Sequence, residues 1–129
     1  MAAVGLGYGL LPDSGGPGKW RGGLGQTVTL RNDTGHILVA HGMGNRTIYP
    51  AKGMRGGDDG ALRRHEVDGK PVHAKGRVEL APGETMTIVE SGAGGYGDPR
   101  SRDARALADD VAEGFVSPKA ARDIYGAKP

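Results

Sequence analysis

The chain has no cysteine, which excludes disulfide bonds and zinc sites built on thiolates. No apolar run approaches the roughly 20 residues that a membrane span requires. At the N-terminus, no basic segment precedes an apolar stretch, so a secretory signal is not predicted. We therefore expect a cytoplasmic protein without a membrane partner.

Aromatic residues are scarce, with one Trp, one Phe and four Tyr among 129 residues. The core must therefore be built mainly from Val, Leu, Ile, Met and Ala, and such a core is thin for a chain of this length. The length itself corresponds to about one domain. We expect a single domain spanning residues 1–129 whose apolar burial is completed by a partner.

The chain has no large excess of either charge, because 17 basic and 15 acidic side chains give a net charge of +2. The two signs are interspersed, whereas nucleic-acid-binding proteins usually carry a basic stripe with interleaved aromatics. The densest basic cluster, residues 63–65 (RRH), is too short for that role. We expect no nucleic-acid partner.

Glycine is abundant, with 25 residues against an average usage of roughly 7%. There is no Gly-X-Y repeat, so a collagen helix is excluded. Alternating apolar residues in the middle of the chain and a helical spacing of apolar residues near its end predict a mainly β protein with a helical C-terminal tail. This is an α+β fold with short antiparallel strands. We divide it into an irregular glycine-rich N-terminal arm, a β region, a glycine loop and a tail with two helices, at residues 1–25, 26–90, 91–100 and 101–126.

Three hairpins are predicted in the β region from alternating apolar residues and turn signals. The first joins residues 27–31 to 37–39 through Asn32-Asp33-Thr34-Gly35, and the third joins 77–80 to 84–89 through Ala81-Pro82-Gly83. The second joins 64–67 to 70–72 through Asp68-Gly69, and its proline, Pro71, predicts an edge strand. A long loop, residues 41–60, lies between the first two. Loops of that length are usually functional or bound by a partner.

The tail reads as two helices. Ala104, Leu107, Ala108 and Val111 form one apolar stripe, and Gly114 stands where a C-terminal cap belongs. Ser117 and Pro118 then suit the N-cap and first position of a second helix that Gly126 ends.

Gly92, Gly94 and Gly97 satisfy the spacing GxGxxG between a strand and a helix, which is the pattern of a dinucleotide site. Asp98-Pro99 argues against that function, because proline keeps Asp98 out of the helix and the carboxylate would repel a phosphate. No further strand is predicted between the tail and residue 129 that would complete a parallel unit. We interpret these glycines as a tight turn that needs positive φ angles and close backbone approach.

Other residues with possible chemistry form no recognisable catalytic pattern. The histidines 36, 41, 65 and 73 lack the spacing of a metal site, so no metal is predicted. Ser14 and Ser91 lie in glycine-rich loops but outside a nucleophile elbow, and are interpreted as structural hydroxyls. We assign no catalytic residue.

Arg21 is the strongest binding candidate, because Gly22 and Gly23 beside it permit close approach and a guanidinium grips carboxylates with two hydrogen bonds. It would hold an anion, or tie the arm to a carboxylate of a partner subunit. Gly94, Gly95 and Tyr96 of the glycine loop complete the set of substrate or interface candidates.

Several motifs together resemble the C-terminal region of the hydantoinase B/oxoprolinase family. They follow one another in order through nearly the whole chain, at residues 13–25 (DSGGPGKWRGGLG), 82–84 (PGE), 94–99 (GGYGDP), 110–111 (DV), 114–117 (GFVS) and 125–126 (YG). The resemblance implies a subunit or domain of an ATP-dependent amidohydrolase acting on a hydantoin or 5-oxoproline, or of a related acetone or acetophenone carboxylase.

The resemblance also implies partners. An A-type chain would bind ATP and a divalent metal and activate the substrate carbonyl by phosphorylation, and a larger B-type chain would carry most of the active site. Family B-type chains have several hundred residues, so we expect this chain to be a small subunit or split C-terminal domain, without a catalytic role and with no cofactor of its own. An independent small-ligand module, with loop 41–60 holding the ligand, is the remaining alternative.

Overall fold

The computed structural model describes residues 4–128, and this part of the chain is mainly β with a helical tail. The fold class predicted from the sequence, α+β with antiparallel strands and two C-terminal helices, is confirmed. In chain order the elements are β1 (Val4–Leu10), β2 (Gln26–Arg31), β3 (Leu38–Met43), β4 (Arg64–Val67), β5 (Lys70–Val72), β6 (Lys75–Leu80), β7 (Thr85–Val89), a 3-10 turn (Pro99–Ser101), α1 (Ala104–Ala112) and α2 (Pro118–Asp123).

The strands form two antiparallel sheets. Five strands pair in the order β1-β2-β7-β4-β5, and β3 pairs with β6 in a separate ribbon. Among the described side chains of the β region, the buried apolar ones are few and come from the end of β6, from β7 and from the residue before β6: Leu80, Met86, Val89 and Ala74. The thin β core agrees with the composition.

The first and third predicted hairpins are wrong as pairings, although their strands exist. β2 pairs with β7, and β3 pairs with β6, so each predicted turn carries the chain from one sheet to the other. The second hairpin is confirmed: β4 pairs with β5 across Asp68-Gly69, and β5 is the edge strand that Pro71 predicted.

Asn32 explains why the two turns act as corners. It is fully buried, and its side-chain amide donates to the carbonyls of His36 and Leu80, both at 2.8 Å. Its backbone N–H donates to Glu84 O at 2.9 Å, and its backbone carbonyl accepts from Gly83 N at 2.8 Å. One buried asparagine therefore holds both connections together, and its own polar groups are satisfied by these hydrogen bonds.

The irregular arm predicted for residues 1–25 is corrected at its start, because residues 4–10 form β1 on the edge of the larger sheet. Every second residue of this strand is glycine, a residue depleted in strands, which hid the strand signal. Leu10 and Trp20, two large apolar residues between positions 1 and 25, are 48% and 65% exposed. Residues 1–3 of the predicted arm lie outside the described residues, as does Pro129.

The tail forms as predicted. Ser117 Oγ accepts from Ala120 N at 3.1 Å at the start of α2, and Gly114 adopts a φ of 74° after α1. The two helices bury a small cluster of their own, formed by Leu107, Val116, Ala121 and Tyr125. Within residues 4–128, neither helix is long and apolar enough to cross a membrane.

Candidate functional site

Three glycine-rich segments, residues 14–25, 51–61 and 91–97, pack backbone against backbone and are called the glycine core. Gly16 N donates to Ala93 O at 2.8 Å, and Ala93 N donates to Gly23 O at 2.9 Å. The middle segment joins through Asp58, whose N–H donates to Pro17 O at 2.8 Å and whose carbonyl accepts from Gly95 N at 2.9 Å. The core is therefore held by main-chain hydrogen bonds rather than by interlocking side chains.

Close approach is the reason these positions are glycine. A Cβ on Gly22 would lie 2.1 Å from Ala93 O, and a Cβ on Gly94 would lie 2.1 Å from Lys52 O. A Cβ on Gly95 would meet Pro17 O at the same distance, whereas one on Gly23 would meet no atom within 4 Å. Gly22, Gly94 and Gly95 are thus fixed by packing, and Gly23 is not.

The GxGxxG loop has the structural character that the sequence predicted. A Cβ on Gly92 would lie 1.7 Å from Ser14 O, and Gly97 adopts a φ of 77°. The amides of residues 92, 93, 95, 96 and 97 all donate to carbonyls of the neighbouring segments. Since these N–H groups are engaged within the chain, they do not form a cradle for phosphate.

Arg21 belongs to a charged cluster in which Asp110 contacts both Arg21 and Arg102, called the arginine–aspartate cluster. Arg21 Nε and Nη2 donate to the two carboxylate oxygens of Asp110, each at 3.1 Å. Arg102 Nη2 reaches Asp110 Oδ2 at 2.7 Å. The side chains of the three residues are only 8% to 15% exposed, so these ion pairs are partly shielded from water.

Further contacts fix this cluster in place. Arg21 Nη1 donates to Gly22 O at 2.8 Å, and its guanidinium lies 5.7 Å from the centre of the Phe115 ring. Arg102 Nη1 donates to Lys19 O at 3.2 Å. Burial raises the pKa of nearby Tyr125, and the positive charges of Arg102 and Arg21 partly oppose that rise. The cluster therefore joins the glycine core to the helical tail.

The carboxylate that Arg21 binds is thus Asp110 of the same chain, and sequence reasoning missed it. The signal was available, because Asp110 follows Leu107 by three positions and so lies on the apolar stripe of α1. A carboxylate on a buried helix face requires a cationic partner, and Arg21 and Arg102 supply it.

Tyr96 lies in the middle of a small exposed strip with Trp20 and Met54, called the aromatic strip. Trp20 and Tyr96 exchange two backbone hydrogen bonds of 2.9 Å, as an antiparallel bridge. Met54 bridges Tyr96 from the other side in parallel orientation. Sequence reasoning identified Tyr96 as a candidate, but it identified neither Trp20 nor Met54 as its neighbours.

The serines and histidines occupy mixed environments. Ser14 is buried, and its hydroxyl donates to Leu11 O at 2.5 Å and accepts from Gly25 N at 2.7 Å, as a structural hydroxyl. His65 is buried on β4, and burial, with the charge of Arg63, lowers its pKa. Within the described part of the chain, no three His, Asp or Glu side chains are grouped as a metal site would require.

The loop predicted for residues 41–60 is shorter and more engaged than expected. Residues 41–43 belong to β3, and residues 51–60 belong to the glycine core. Met54 N donates to Gly95 O, and Gly60 N donates to Ala51 O, both at 2.9 Å. Much of the segment is therefore structural.

Comparison with known proteins places these features in context. The family model described as hydantoinase B/oxoprolinase matches residues 3–99. The chain is 36% identical over 128 residues to caprolactamase subunit beta of Pseudomonas jessenii, a match that covers 92% of this chain and 22% of that protein. The chain thus spans about a fifth of the length of this curated relative.

Two solved structures have a similar fold. The ATP-dependent caprolactamase of Pseudomonas jessenii matches with a TM-score of 0.74 and 28% identity over 95% of this chain and 23% of that one. A nucleotide-free acetone carboxylase matches with a TM-score of 0.70 and 22% identity over 98% of this chain and 22% of that one. The second likeness is one of fold alone.

Proposed function

Because the chain belongs to the hydantoinase B/oxoprolinase family, we propose that it is a small subunit, or the C-terminal domain, of a complex that hydrolyses a cyclic amide with ATP. One observation carries this proposal: nearly the whole chain aligns with a caprolactamase beta subunit, yet it spans only 22% of that subunit. A unit of this size, with 92% of its length matched within a longer subunit, fits a role as one part of a larger catalytic assembly.

The role of the chain itself would be to complete the assembly and position its parts. Arg21 is occupied by Asp110, and Gly22, Gly94 and Gly95 are packed against backbone. These groups support a scaffold rather than a reacting centre. Arg21, Gly23 and Tyr96 remain proposed interface residues, and a contribution of this surface to a shared substrate pocket is tested by the activity assay below.

The partners would be a larger B-type chain and an ATP-binding A-type chain. ATP and a divalent metal would be held by these subunits, where ATP supplies the phosphoryl group that activates the amide carbonyl. The glycine loop of this chain does not offer the N–H groups that would bind the nucleotide, since they donate to neighbouring carbonyls. The cytoplasm, where ATP is abundant, is the proposed location.

A second candidate is a small subunit of an ATP-dependent ketone carboxylase. The observation in its favour is the likeness to acetone carboxylase over 98% of the chain. Because that likeness concerns the fold alone, we rank this function below cyclic amide hydrolysis.

The test is reconstitution. The chain would be co-expressed with the B-type and A-type chains of its source, and ATP-dependent ring opening of hydantoin, 5-oxoproline and caprolactam would be measured with and without it. We expect hydrolysis of at least one of these substrates only when the chain is present. ATP hydrolysis that depends on acetone and bicarbonate would identify the carboxylase instead, and full hydrolysis without the chain would refute the proposed role.

A further inference from the structure

The aromatic strip places three large apolar side chains side by side on one face. Paired residues of adjacent strands project their side chains to the same side, and Tyr96 is bridged to Trp20 on one flank and to Met54 on the other. One residue therefore comes from each of the three segments of the glycine core. The arrangement exists only when that core is assembled.

The strip is exposed although the protein has few aromatic residues. Trp20 is 65% exposed, Met54 62% and Tyr96 48%, and the chain has no second Trp. Together they present about 400 Å² to solvent, an area at which apolar patches on monomers are often functional. Trp and Tyr are also the residues that most often dominate binding at interfaces.

The surroundings of the strip favour a partner that brings a carboxylate. A cleft of about 380 Å³ runs between Trp20 and the start of α1, lined also by Lys19, Arg102 and Asp103. Arg102 belongs to the arginine–aspartate cluster, in which two guanidinium groups share one carboxylate. An acidic side chain entering this cleft would balance the excess positive charge while apolar groups cover the strip.

We propose that the aromatic strip is the docking surface for the remainder of a B-type polypeptide. This inference rests on the proposed function and adds the surface through which the chain joins its partner. The caprolactamase beta subunit that matches 92% of this chain is more than four times as long, because the match covers 22% of it. The family match at residues 3–99 includes all three strip residues but neither helix of the tail. The strip therefore lies within the part of the chain that the family model describes.

The experiment measures binding of the chain to the B-type polypeptide of its source by titration calorimetry. Trp20→Thr and Tyr96→Thr keep β propensity at the bridge while removing the aromatic surface. The matched control is Tyr49→Thr, since Tyr49 is 80% exposed and outside the glycine core. We expect the double variant at positions 20 and 96 to bind about 30-fold more weakly, and the control to bind within about twofold of the unmodified chain. Circular dichroism checks that each variant is folded.

Oxidative footprinting of the complex gives a second readout that needs no substitution. Oxidation of Trp20, Met54 and Tyr96 should fall in the complex, while oxidation of Met43, which is 85% exposed, should not. If the strip is fully oxidised in a stable complex, the proposed docking surface is wrong, while the proposed function stands. The same follows if the double variant binds as tightly as the unmodified chain. No binding by the unmodified chain would refute both. A dimer of the chain alone that the double variant abolishes would show that the occupant is a second copy.

Discussion

Replacing Gly22 by alanine tests the glycine core most sharply, because its neighbour Gly23 provides a matched control. A Cβ at residue 22 would lie 2.1 Å from Ala93 O and 2.8 Å from Gly94 O. Both atoms are backbone, so the 91–97 segment must move by about 1.3 Å to bring Ala93 O to an ordinary contact distance of about 3.4 Å. That movement strains the hydrogen bonds that Ala93 makes to Gly16 and Gly23.

The expected loss of stability follows from these two effects. Overpacking of a tight site costs about 1–3 kcal/mol, and each weakened backbone hydrogen bond adds about 1 kcal/mol. We expect Gly22→Ala to lower the free energy of unfolding by about 3–5 kcal/mol, which for this length corresponds to about 11–18 °C in melting temperature. Gly23→Ala meets no atom within 4 Å, and should change stability by less than about 1 kcal/mol.

Thermal unfolding of the two purified variants, followed by far-ultraviolet circular dichroism, is the assay. The comparison between adjacent residues removes effects of composition and of local backbone entropy. Melting temperatures for the two variants that agree within about 3 °C would refute the close packing of the glycine core.

Three further predictions concern the polar groups. Asp110→Ala leaves two shielded guanidinium groups without their carboxylate, and it should lower the free energy of unfolding, measured in urea, by about 3 kcal/mol. Arg21→Ala should lower it by less. Arg21→Ala should also weaken assembly of the complex or its activity. Burial lowers the pKa of His65 in the folded state, so at this position the unfolded chain takes up a proton first as the pH falls below about 6.5. The stability of the folded chain should therefore decrease from that pH downwards. In thermal melts, this decrease should be smaller for His65→Gln than for His73→Gln. Ser14→Ala removes a buried hydroxyl from two hydrogen bonds and should cost about 1–3 kcal/mol, measured in the same way.

Each of these predictions has an outcome that would contradict it. An Arg77→Ala control, at an exposed ion pair with Glu79, should have little effect, and an Asp110→Ala variant no less stable than this control would remove the structural role of the cluster. A pH profile in which the two histidine variants behave alike would show that His65 is not the group responsible. Ser91→Ala, at a half-buried position, should be milder than Ser14→Ala, and the reverse order would contradict the structural assignment of Ser14.

Local features of the fold followed from the sequence because they depend on neighbouring residues. The cap at Ser117, the turn at Asp68-Gly69 and the glycine that ends α1 are each decided within a few positions. Pairing of β2 with β7 was not accessible in this way. It depends on the hydrogen bond from Asn32 to Leu80, a residue 48 positions further along the chain. A local sequence pattern does not predict a contact between residues so far apart.

The candidate site was predictable only in part for the same reason. Arg21 and Tyr96 stood out by residue type beside glycine, and the glycine pattern indicated close backbone approach. The carboxylate that holds Arg21 lies 89 residues away, and the strip at Tyr96 requires three separate segments to meet. A sequence shows which backbones can approach closely, but the choice of partner for each depends on the assembled core.

The most direct test of the proposed function is native mass spectrometry of the chain co-expressed with the B-type and A-type chains of its source. We predict one assembly whose mass includes this chain, and loss of its ATP-dependent cyclic amide hydrolysis when the chain is omitted. A chain that stays a free monomer beside a fully active complex of the other two would contradict the proposal.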